Sequence, residues 1–243
     1  MTKTRRLMFR VIAFLSVSGC AILLALAYLG YFSVNAVTIV PPQGTARADY
    51  SIVFLSGDLG FNMGMGPKIT QHFTDEGVPV VALNSLTFFR HERTRAEVDQ
   101  LVRDLMRTAQ DQFGRRKLVL IGHSFGADAL QLGLADLQAK ERADIMQVVM
   151  IVPTDDVYLQ AQPDGHYRSR PADYEAVPTA RKLNWVPVLC IHGDQETGSL
   201  CPKLNLENAD IKTLPGGHNL KLNDDLIYRT IQQAVDAADG KAN

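Results

Sequence analysis

The pentapeptide Gly122-His123-Ser124-Phe125-Gly126 places a potential nucleophile between two glycines at the spacing G-x-S-x-G. In this motif the glycines allow a tight turn that projects the serine above a sheet, provided that a strand precedes the turn and a helix follows it. The apolar run 118–121 is typical of such a strand, and a helical pattern follows the motif. The sequence therefore predicts Ser124 as a nucleophile, with the backbone N–H of Phe125 as one donor to a developing oxyanion.

A serine hydroxyl is a poor nucleophile at neutral pH unless a base takes its proton. His218 follows Pro215-Gly216-Gly217, directly after the predicted last strand at 211–214. Proteins with a G-x-S-x-G nucleophile carry their histidine base after the serine and the acid in the chain, which fits this position. The two glycines allow the chain to approach the serine sharply. His218 is therefore the predicted general base.

The acid that orients the base is expected between Ser124 and His218 in the chain, after a strand. The loop that begins at Gly193 offers two carboxylates, Asp194 and Glu196. The usual spacing of glycine to acid favours Glu196, with Asp194 as the alternative. Asp155 and Asp156, after an earlier strand, are a weaker third option.

A second oxyanion donor is expected in the glycine-containing loop 56–60, most plausibly the backbone N–H of Asp58 or Leu59. Asp128 lies one helical turn after Ser124 on the face nearest the site. It is predicted either as a buried, paired carboxylate or as the partner of a cationic substrate group. Both readings stay open from the sequence.

The elements that must position these residues alternate between strands and helices. Strands are predicted at 51–55, 78–83, 117–121, 147–152, 186–191 and 211–214, and helices at 67–76, 94–113, 125–138 and 223–237. Strands that are almost continuously apolar indicate a mostly parallel sheet covered by helices on both faces. With the motif G-x-S-x-G, this predicts an α/β-hydrolase fold over residues 51–243, in which the Pro-rich stretch 153–177 is a lid-like insertion.

Composition limits the classes of partner. The chain has 243 residues, 25 Lys and Arg against 26 Asp and Glu, and a formal net charge of −1. This length suits one catalytic domain, and the balanced charge argues against a nucleic-acid partner. Neither zinc-ligand spacing nor a phosphate-binding loop is present in the sequence, so we predict no metal and no cofactor.

Residues 1–33 have the pattern of a membrane anchor. Lys3, Arg5, Arg6 and Arg10 precede an uncharged apolar run from about residue 11 to 32. A run of roughly 20 residues can cross a bilayer, whereas the apolar core of a cleaved signal has only about 7–15. Because the positive charges keep the N-terminus in the cytoplasm, a single-pass signal anchor in the bacterial inner membrane is predicted. Residues 34–50 would then be a linker, and the domain would lie in the periplasm.

If the domain is exported, Cys20 could be lipidated and the other two cysteines could form a disulfide. The segment Val17-Ser18-Gly19-Cys20 is similar to a lipoprotein cleavage box, which would make Cys20 a lipidated N-terminus instead. Polar residues normally follow such a cysteine, whereas 21–31 is apolar, so the anchor is favoured. Cys190 and Cys201 are the remaining pair, and an oxidising compartment favours a disulfide between them over two reduced thiols.

Three stretches resemble the VirJ/AcvB family of bacterial virulence proteins: 56–60, the run from Leu120 to Asp128, and the segment from Gly193 to Cys201. The likeness extends over most of 51–237. Two departures concern substrate detail, because the family tends towards a second histidine at the position of Asn219 and towards other aromatic residues near 88–90.

The resemblance implies a periplasmic hydrolase that removes lysine from lysyl-phosphatidylglycerol, with Asp128 as a candidate partner of the lysyl ammonium. Two alternatives remain from the sequence. One is a general serine esterase or thioesterase that acts on another ester. The other is a non-catalytic periplasmic module that supports a secretion system, which would not need Ser124.

Overall fold

The computed structural model describes residues 3–43, 49–114 and 116–240. Parts of the predicted linker 34–50, and the ends of the predicted segments 1–33 and 51–243, therefore lie outside the described residues. The strands of the described chain are β1 Val37–Val40, β2 Tyr50–Leu55, β3 Val80–Leu83, β4 Lys117–His123, β5 Ile145–Ile151, β6 Asp156–Val157, β7 Tyr174–Glu175, β8 Val188–Gly193 and β9 Ala209–Leu214. The helices are α1 Lys3–Tyr28, α2 Gly66–Asp75, α3 Ser85–Phe89, α4 Arg95–Phe113, α5 Phe125–Leu134, α6 Ala139–Arg142, α7 Ala176–Ala180 and α8 Asp224–Ala238.

Seven of these strands form one sheet in the order β1-β3-β2-β4-β5-β8-β9. All neighbouring pairs are parallel except β1 and β3. The carboxyl ends of the six parallel strands therefore lie at one edge of the sheet, which is where open α/β sheets carry their ligand sites. The predicted mostly parallel sheet is confirmed.

Helices cover both faces of the sheet, as predicted. Along β2, Val53 and Leu55 pack into a core shared with α4 and α5, whereas Ile52 and Phe54 pack on the opposite face with α2 and α8. This alternation follows from the two-residue period of a strand. Since both faces are buried, all six residues of β2 are aliphatic, aromatic or small, and all six are buried.

The helix α4 has the start that the sequence predicted. The Thr94 hydroxyl accepts from the Glu97 backbone N–H, and the Glu97 carboxylate accepts from the Thr94 backbone N–H, which completes a capping box. The apolar stripe of this helix is buried against the sheet: Val98, Leu101, Val102, Leu105, Met106 and Ala109.

The predicted helix 125–138 ends at Leu134, and β6, β7, α6 and α7 were not predicted. Two further elements also differ from the sequence prediction. Residues 37–40 of the predicted linker form β1, which pairs with β3 from Val37 opposite Leu83 to Val40 opposite Val80. The helix α3, after β3, was not predicted either. Both elements are four or five residues long, and such short segments take their structure from pairing and packing with distant parts of the chain rather than from a periodic pattern.

The helix α1 is exposed along its apolar part. Residues Arg10–Tyr28 are long and apolar enough to cross a membrane, with a mean hydropathy of 2.3, and none of that window is buried against the rest of the protein. The helix continues without interruption through Cys20, whose thiol is free. A membrane-spanning helix is the arrangement in which such a surface avoids water.

Cys190, in β8, and Cys201 are joined by a disulfide. The bridge closes a loop with a sequence separation of 11 residues, and this loop contains both candidate acids, Asp194 and Glu196. A disulfide stabilises a protein mainly because it restricts the unfolded chain. The bridge therefore stabilises the segment that carries the predicted acid.

Removal of this bridge by the double substitution Cys190→Ala and Cys201→Ser should lower the free energy of unfolding by about 3 kcal/mol, the loop-closure value for a loop of this size. Urea unfolding of the full-length protein in detergent measures the change. Cys20→Ser is the matched control and should leave stability unchanged. A double variant as stable as the wild-type protein would contradict this prediction.

Candidate active site

Ser124 lies between β4 and α5 in a backbone conformation that is rare outside glycine, with φ 52° and ψ −123°. The turn is tight because the chain passes close to the neighbouring strand. A Cβ added to Gly126 would lie 2.3 Å from the Leu55 carbonyl oxygen, and one added to Gly122 would lie 2.4 Å from the Cα of Ala127. Both glycines of the motif are therefore required by contact, and the strained turn is the one that G-x-S-x-G needs.

Three predicted side chains meet above this turn. Ser124 Oγ lies 2.7 Å from His218 Nε2, and His218 Nδ1 lies 2.6 Å from Glu196 Oε1. Because a carboxylate only accepts hydrogen bonds, Nδ1 carries the ring proton and Nε2 is left free to accept from the serine hydroxyl. The arrangement can therefore move the proton of Ser124 to His218.

Glu196 is held more firmly than its position in a loop suggests. Its side chain is only 3% exposed, and its second oxygen accepts from the Gly193 backbone N–H. A buried carboxylate with both oxygens engaged keeps one orientation, so the imidazole that contacts it is fixed as well. This is the geometry in which an acid orients a base.

The other candidate acids are engaged elsewhere. Asp194 Oδ1 accepts from the Gly216 backbone N–H at 2.7 Å, which joins the loop after β8 to the loop that carries His218. Asp155 pairs with Lys203, and Asp156 is exposed in β6. Asp194 therefore contacts the backbone two residues before His218 and positions that loop. Glu196 is the carboxylate that contacts the imidazole itself.

The predicted oxyanion donors lie beside the serine. Phe125 is the first residue of α5, and the N–H groups in the first turn of a helix have no partner within the helix. Asp58 and Leu59, in the loop after β2, line the same pocket as Ser124. Positive helix-end potential and free N–H groups at this position favour negative charge on a bound oxygen.

Two residues that the sequence analysis did not identify hold the loop after β2. The Asp58 carboxylate accepts from the Tyr167 hydroxyl at 2.7 Å and from Arg168 Nη2 at 3.2 Å. Both partners lie in a short 3₁₀ helix, His166–Ser169, within the segment 153–177. The only signal in the sequence was the unusual length of that segment, because no local pattern pairs Asp58 with residues more than 100 positions away.

The pocket next to these residues has a volume of about 250 Å³. Its lining includes Gly57, Asp58, Leu59, His123, Ser124, Arg168 and His218. Desolvation lowers the pKa of His123 to about 4, and the nearby His218 adds to this effect. At neutral pH the ring of His123 is therefore uncharged.

Asp128 does not face the pocket. It is 5% exposed, and its two oxygens accept from the backbone N–H and the hydroxyl of Thr154, each at 2.8 Å. Burial raises the pKa of this carboxyl well above its ordinary value, although the hydrogen bonds from Thr154 oppose the shift. The structure favours the buried, paired reading of Asp128, which fixes the chain after β5, over contact with a cationic substrate.

The mostly parallel sheet, its helical layers and a serine on a strained turn after a strand define the α/β-hydrolase fold. A family model described as bacterial virulence protein (VirJ) matches residues 49–239. The chain belongs to this family. A comparison with curated protein sequences gave no significant match.

Solved structures with the same fold include an esterase domain from a Rhodothermus marinus protein. Est1E from Butyrivibrio proteoclasticus is 16% identical, with a TM-score of 0.64 over 84% of this chain and 94% of that one. An alpha-beta serine hydrolase homologue from Coxiella burnetii is 16% identical, with a TM-score of 0.57 over 80% and 90% of the two chains. MenH from S. aureus is 11% identical, with a TM-score of 0.59 over 85% and 100%. At these identities the likeness establishes the fold.

The raised pKa of Asp128 predicts a pH-dependent contribution to stability. Folded Asp128 holds its proton more tightly than the unfolded chain, so wild-type stability should fall, relative to Asp128→Asn, as the pH rises above the ordinary value of 3.8. Urea unfolding of both proteins between pH 4 and pH 8 measures the difference, because all other titrating groups are shared. A difference that is constant with pH, or a wild-type stability that increases relative to Asp128→Asn as the pH rises, would contradict the buried assignment.

Proposed function

We propose that this chain is a membrane-tethered serine hydrolase of carboxylic esters, in which Ser124 is the nucleophile, His218 the general base and Glu196 the acid that orients it. The observation that carries the proposal is the 2.7 Å contact between Ser124 Oγ and His218 Nε2 on a turn that only close packing maintains. The α/β-hydrolase fold, which the chain shares with solved esterases, supports the same reaction class.

In the proposed reaction, Ser124 Oγ attacks the ester carbonyl carbon while His218 Nε2 takes the hydroxyl proton. Glu196 stabilises the imidazolium that forms, and the N–H groups of Phe125 and of Asp58 or Leu59 donate to the oxyanion. Collapse of the tetrahedral intermediate breaks the bond to the alcohol, which leaves with the proton from His218. A water molecule, deprotonated by His218, then attacks the acyl-serine. Collapse of this second tetrahedral intermediate breaks the bond from the acyl carbon to Ser124 Oγ, which takes the proton back from His218 as the acid is released.

Asp194 and the pair Tyr167 and Arg168 have supporting roles in this proposal. Asp194 keeps the loop of His218 against the loop of Glu196. Tyr167 and Arg168 hold the side chain of Asp58, whose own N–H is a proposed oxyanion donor. Preorganised donors stabilise a transition state because they need no rearrangement when charge develops.

The finer proposal is an aminoacylated phospholipid such as lysyl-phosphatidylglycerol as substrate, hydrolysed on the periplasmic side of the inner membrane. Membership of the VirJ family, the cationic N-terminal end of the chain and the exposed apolar helix α1 support it. A tether keeps the site at a high effective concentration of a lipid substrate. The aminoacyl bond of such a lipid is a carboxylic ester, which a serine nucleophile is suited to cleave.

Labelling with a fluorophosphonate tests the activated serine. The wild-type protein should react at Ser124, and Ser124→Ala should not react at all. His218→Ala and Glu196→Gln should react more slowly by a factor of about 10⁴ or more. The first removes the base that takes the proton of Ser124, and the second removes the charge that stabilises the resulting imidazolium.

Asp194→Asn is the matched control for Glu196→Gln, since the amide oxygen can still accept from Gly216, and it should label at close to the wild-type rate. If Ser124 failed to label, or if labelling were indifferent to His218→Ala, the proposal would fail and a non-catalytic module that supports a secretion system would be favoured.

Substrate identity is tested separately in membranes. A strain that lacks the protein should accumulate aminoacyl phospholipid, and the wild-type chain, but not Ser124→Ala, should return the lipid to its ordinary level. Quantitative lipid mass spectrometry measures this. If labelling at Ser124 succeeds while aminoacyl phospholipid stays constant, the esterase proposal stands and another ester is the substrate.

A further inference from the structure

The end of α1 is fixed to the domain rather than joined to it by a flexible stalk. The Tyr28 hydroxyl donates to the Asn62 carbonyl at 3.1 Å, and Asn62 Nδ2 donates to the Tyr28 carbonyl at 2.6 Å. This reciprocal pair connects the last residue of α1 with the loop that follows β2. A Cβ at Gly60 would lie 2.7 Å from the Leu29 carbonyl, so the approach in this loop is as close as glycine allows.

The residues after α1 make further contacts with the domain. Asn84 Nδ2 donates to the Leu29 carbonyl at 2.9 Å, and the Thr87 hydroxyl donates to the Gly30 carbonyl at 2.8 Å. Arg90 Nη1 donates to the Tyr31 carbonyl at 3.0 Å and also contacts the carbonyl of Ser33. These bonds satisfy carbonyls where the chain leaves the helix, and they restrict its angle to the domain.

The docking residues lie at the same edge of the sheet as Ser124. Asn62 follows the carboxyl end of β2, Asn84 follows that of β3, and Ser124 follows that of β4. From this edge β1 runs back along β3 in the antiparallel direction, away from the end of α1. The opposite edge of the sheet, near Gln112 at the end of α4, is separated from it by the length of the strands, roughly 20 Å for six residues.

An apolar rim surrounds the pocket at this edge. We define the rim as Leu59, Met63 and Leu222, which line the pocket and are 41%, 45% and 60% exposed. Met63 is the residue after Asn62, which bonds to α1. Leu222 follows two residues that also have positive φ, Leu220 and Lys221, so a strained turn directs this leucine outward. Exposed leucine in a strained backbone costs free energy in water, and a strained conformation of this kind is often associated with function.

The length of α1 sets the depth of the rim. The apolar window Arg10–Tyr28 spans ~28 Å at about 1.5 Å per residue, which matches a hydrocarbon core of roughly 30 Å. Tyr28 then lies at the boundary between hydrocarbon and headgroups, where tyrosine is enriched. If α1 spans a bilayer in this way, the direct bonds between Asn62 and Tyr28 would place Met63 and the pocket mouth at the level of the headgroups.

We infer that the rim of Leu59, Met63 and Leu222 rests in the membrane leaflet on the domain's side, so that a lipid ester enters the pocket of Ser124 without leaving the bilayer. This inference rests on the proposed function, since it takes α1 as a membrane-spanning helix. The fixed docking of α1 makes the orientation permanent. Apolar side chains beside a fixed anchor gain from burial at the interface, and no soluble partner has to bring the substrate.

Depth-dependent quenching tests the orientation without any catalysis. In a Cys20→Ser, Ser124→Ala background, a fluorescent label at Met63→Cys or Leu222→Cys is compared with a label at Gln112→Cys. The full-length proteins are reconstituted in nanodiscs of phosphatidylcholine and phosphatidylglycerol that contain nitroxide-labelled lipids. The labels on the rim should be quenched severalfold more than the label at position 112. Equal quenching at all three positions would overturn the inference, whatever the enzyme's activity.

A second variant tests the docking itself. Thr87→Val with Arg90→Ala removes bonds to the chain after α1 but leaves the proposed catalytic residues intact. Hydrolysis of a soluble short-chain ester by the full-length protein should be unchanged, whereas hydrolysis of a phospholipid ester in vesicles should fall about tenfold or more, through loss of effective concentration and orientation. An equal rate on vesicles would overturn the inference. If the wild-type protein hydrolysed neither the soluble ester nor the phospholipid ester, the proposed function would fail. The quenching measurement alone would then decide the orientation.

Discussion

The positive φ of Ser124 is the constraint around which the rest of the site is arranged. A serine adopts this conformation only where its surroundings hold it, and here α5, β2 and β4 approach so closely that glycine is required on both sides of the motif. The turn raises the hydroxyl above the sheet edge and leaves the first N–H groups of α5 free. In the proposed mechanism, the position of the nucleophile and one of the two oxyanion donors therefore come from the same strained element of the backbone.

The partners of Ser124 come from two later loops that are tied to each other. The disulfide closes the loop of Glu196, burial fixes its carboxylate, and Asp194 joins that loop to the approach of His218. Each contact restricts a loop that would otherwise move, and positional precision of this kind is what acyl transfer requires. The docking of α1 at the same sheet edge extends this order to the apolar helix, because α1 and the pocket both contact the loop after β2.

Local signals in the sequence were sufficient for much of this arrangement. The motif around Ser124, the capping box at Thr94 and the apolar strands all depend on residues close together in the chain, and the sheet with its two helical layers followed from them. Spacing also favoured Glu196 over Asp194, although the contact of Glu196 with His218 is visible only in the folded structure. Other features depend on contacts between distant segments, which no periodic pattern encodes. These are the hydrogen bond from Tyr167 to Asp58, the strand β1 and the docking of α1.

The most direct measurement of the central claim is a crystal structure of the domain after reaction with a phosphonate ester, a mimic of the tetrahedral intermediate. We predict a covalent bond from phosphorus to Ser124 Oγ, with His218 still in contact with Glu196 and the phosphoryl oxygen accepting from the N–H of Phe125 and of Asp58 or Leu59. An adduct on another residue, or a phosphoryl oxygen directed into solvent away from both N–H groups, would contradict the account.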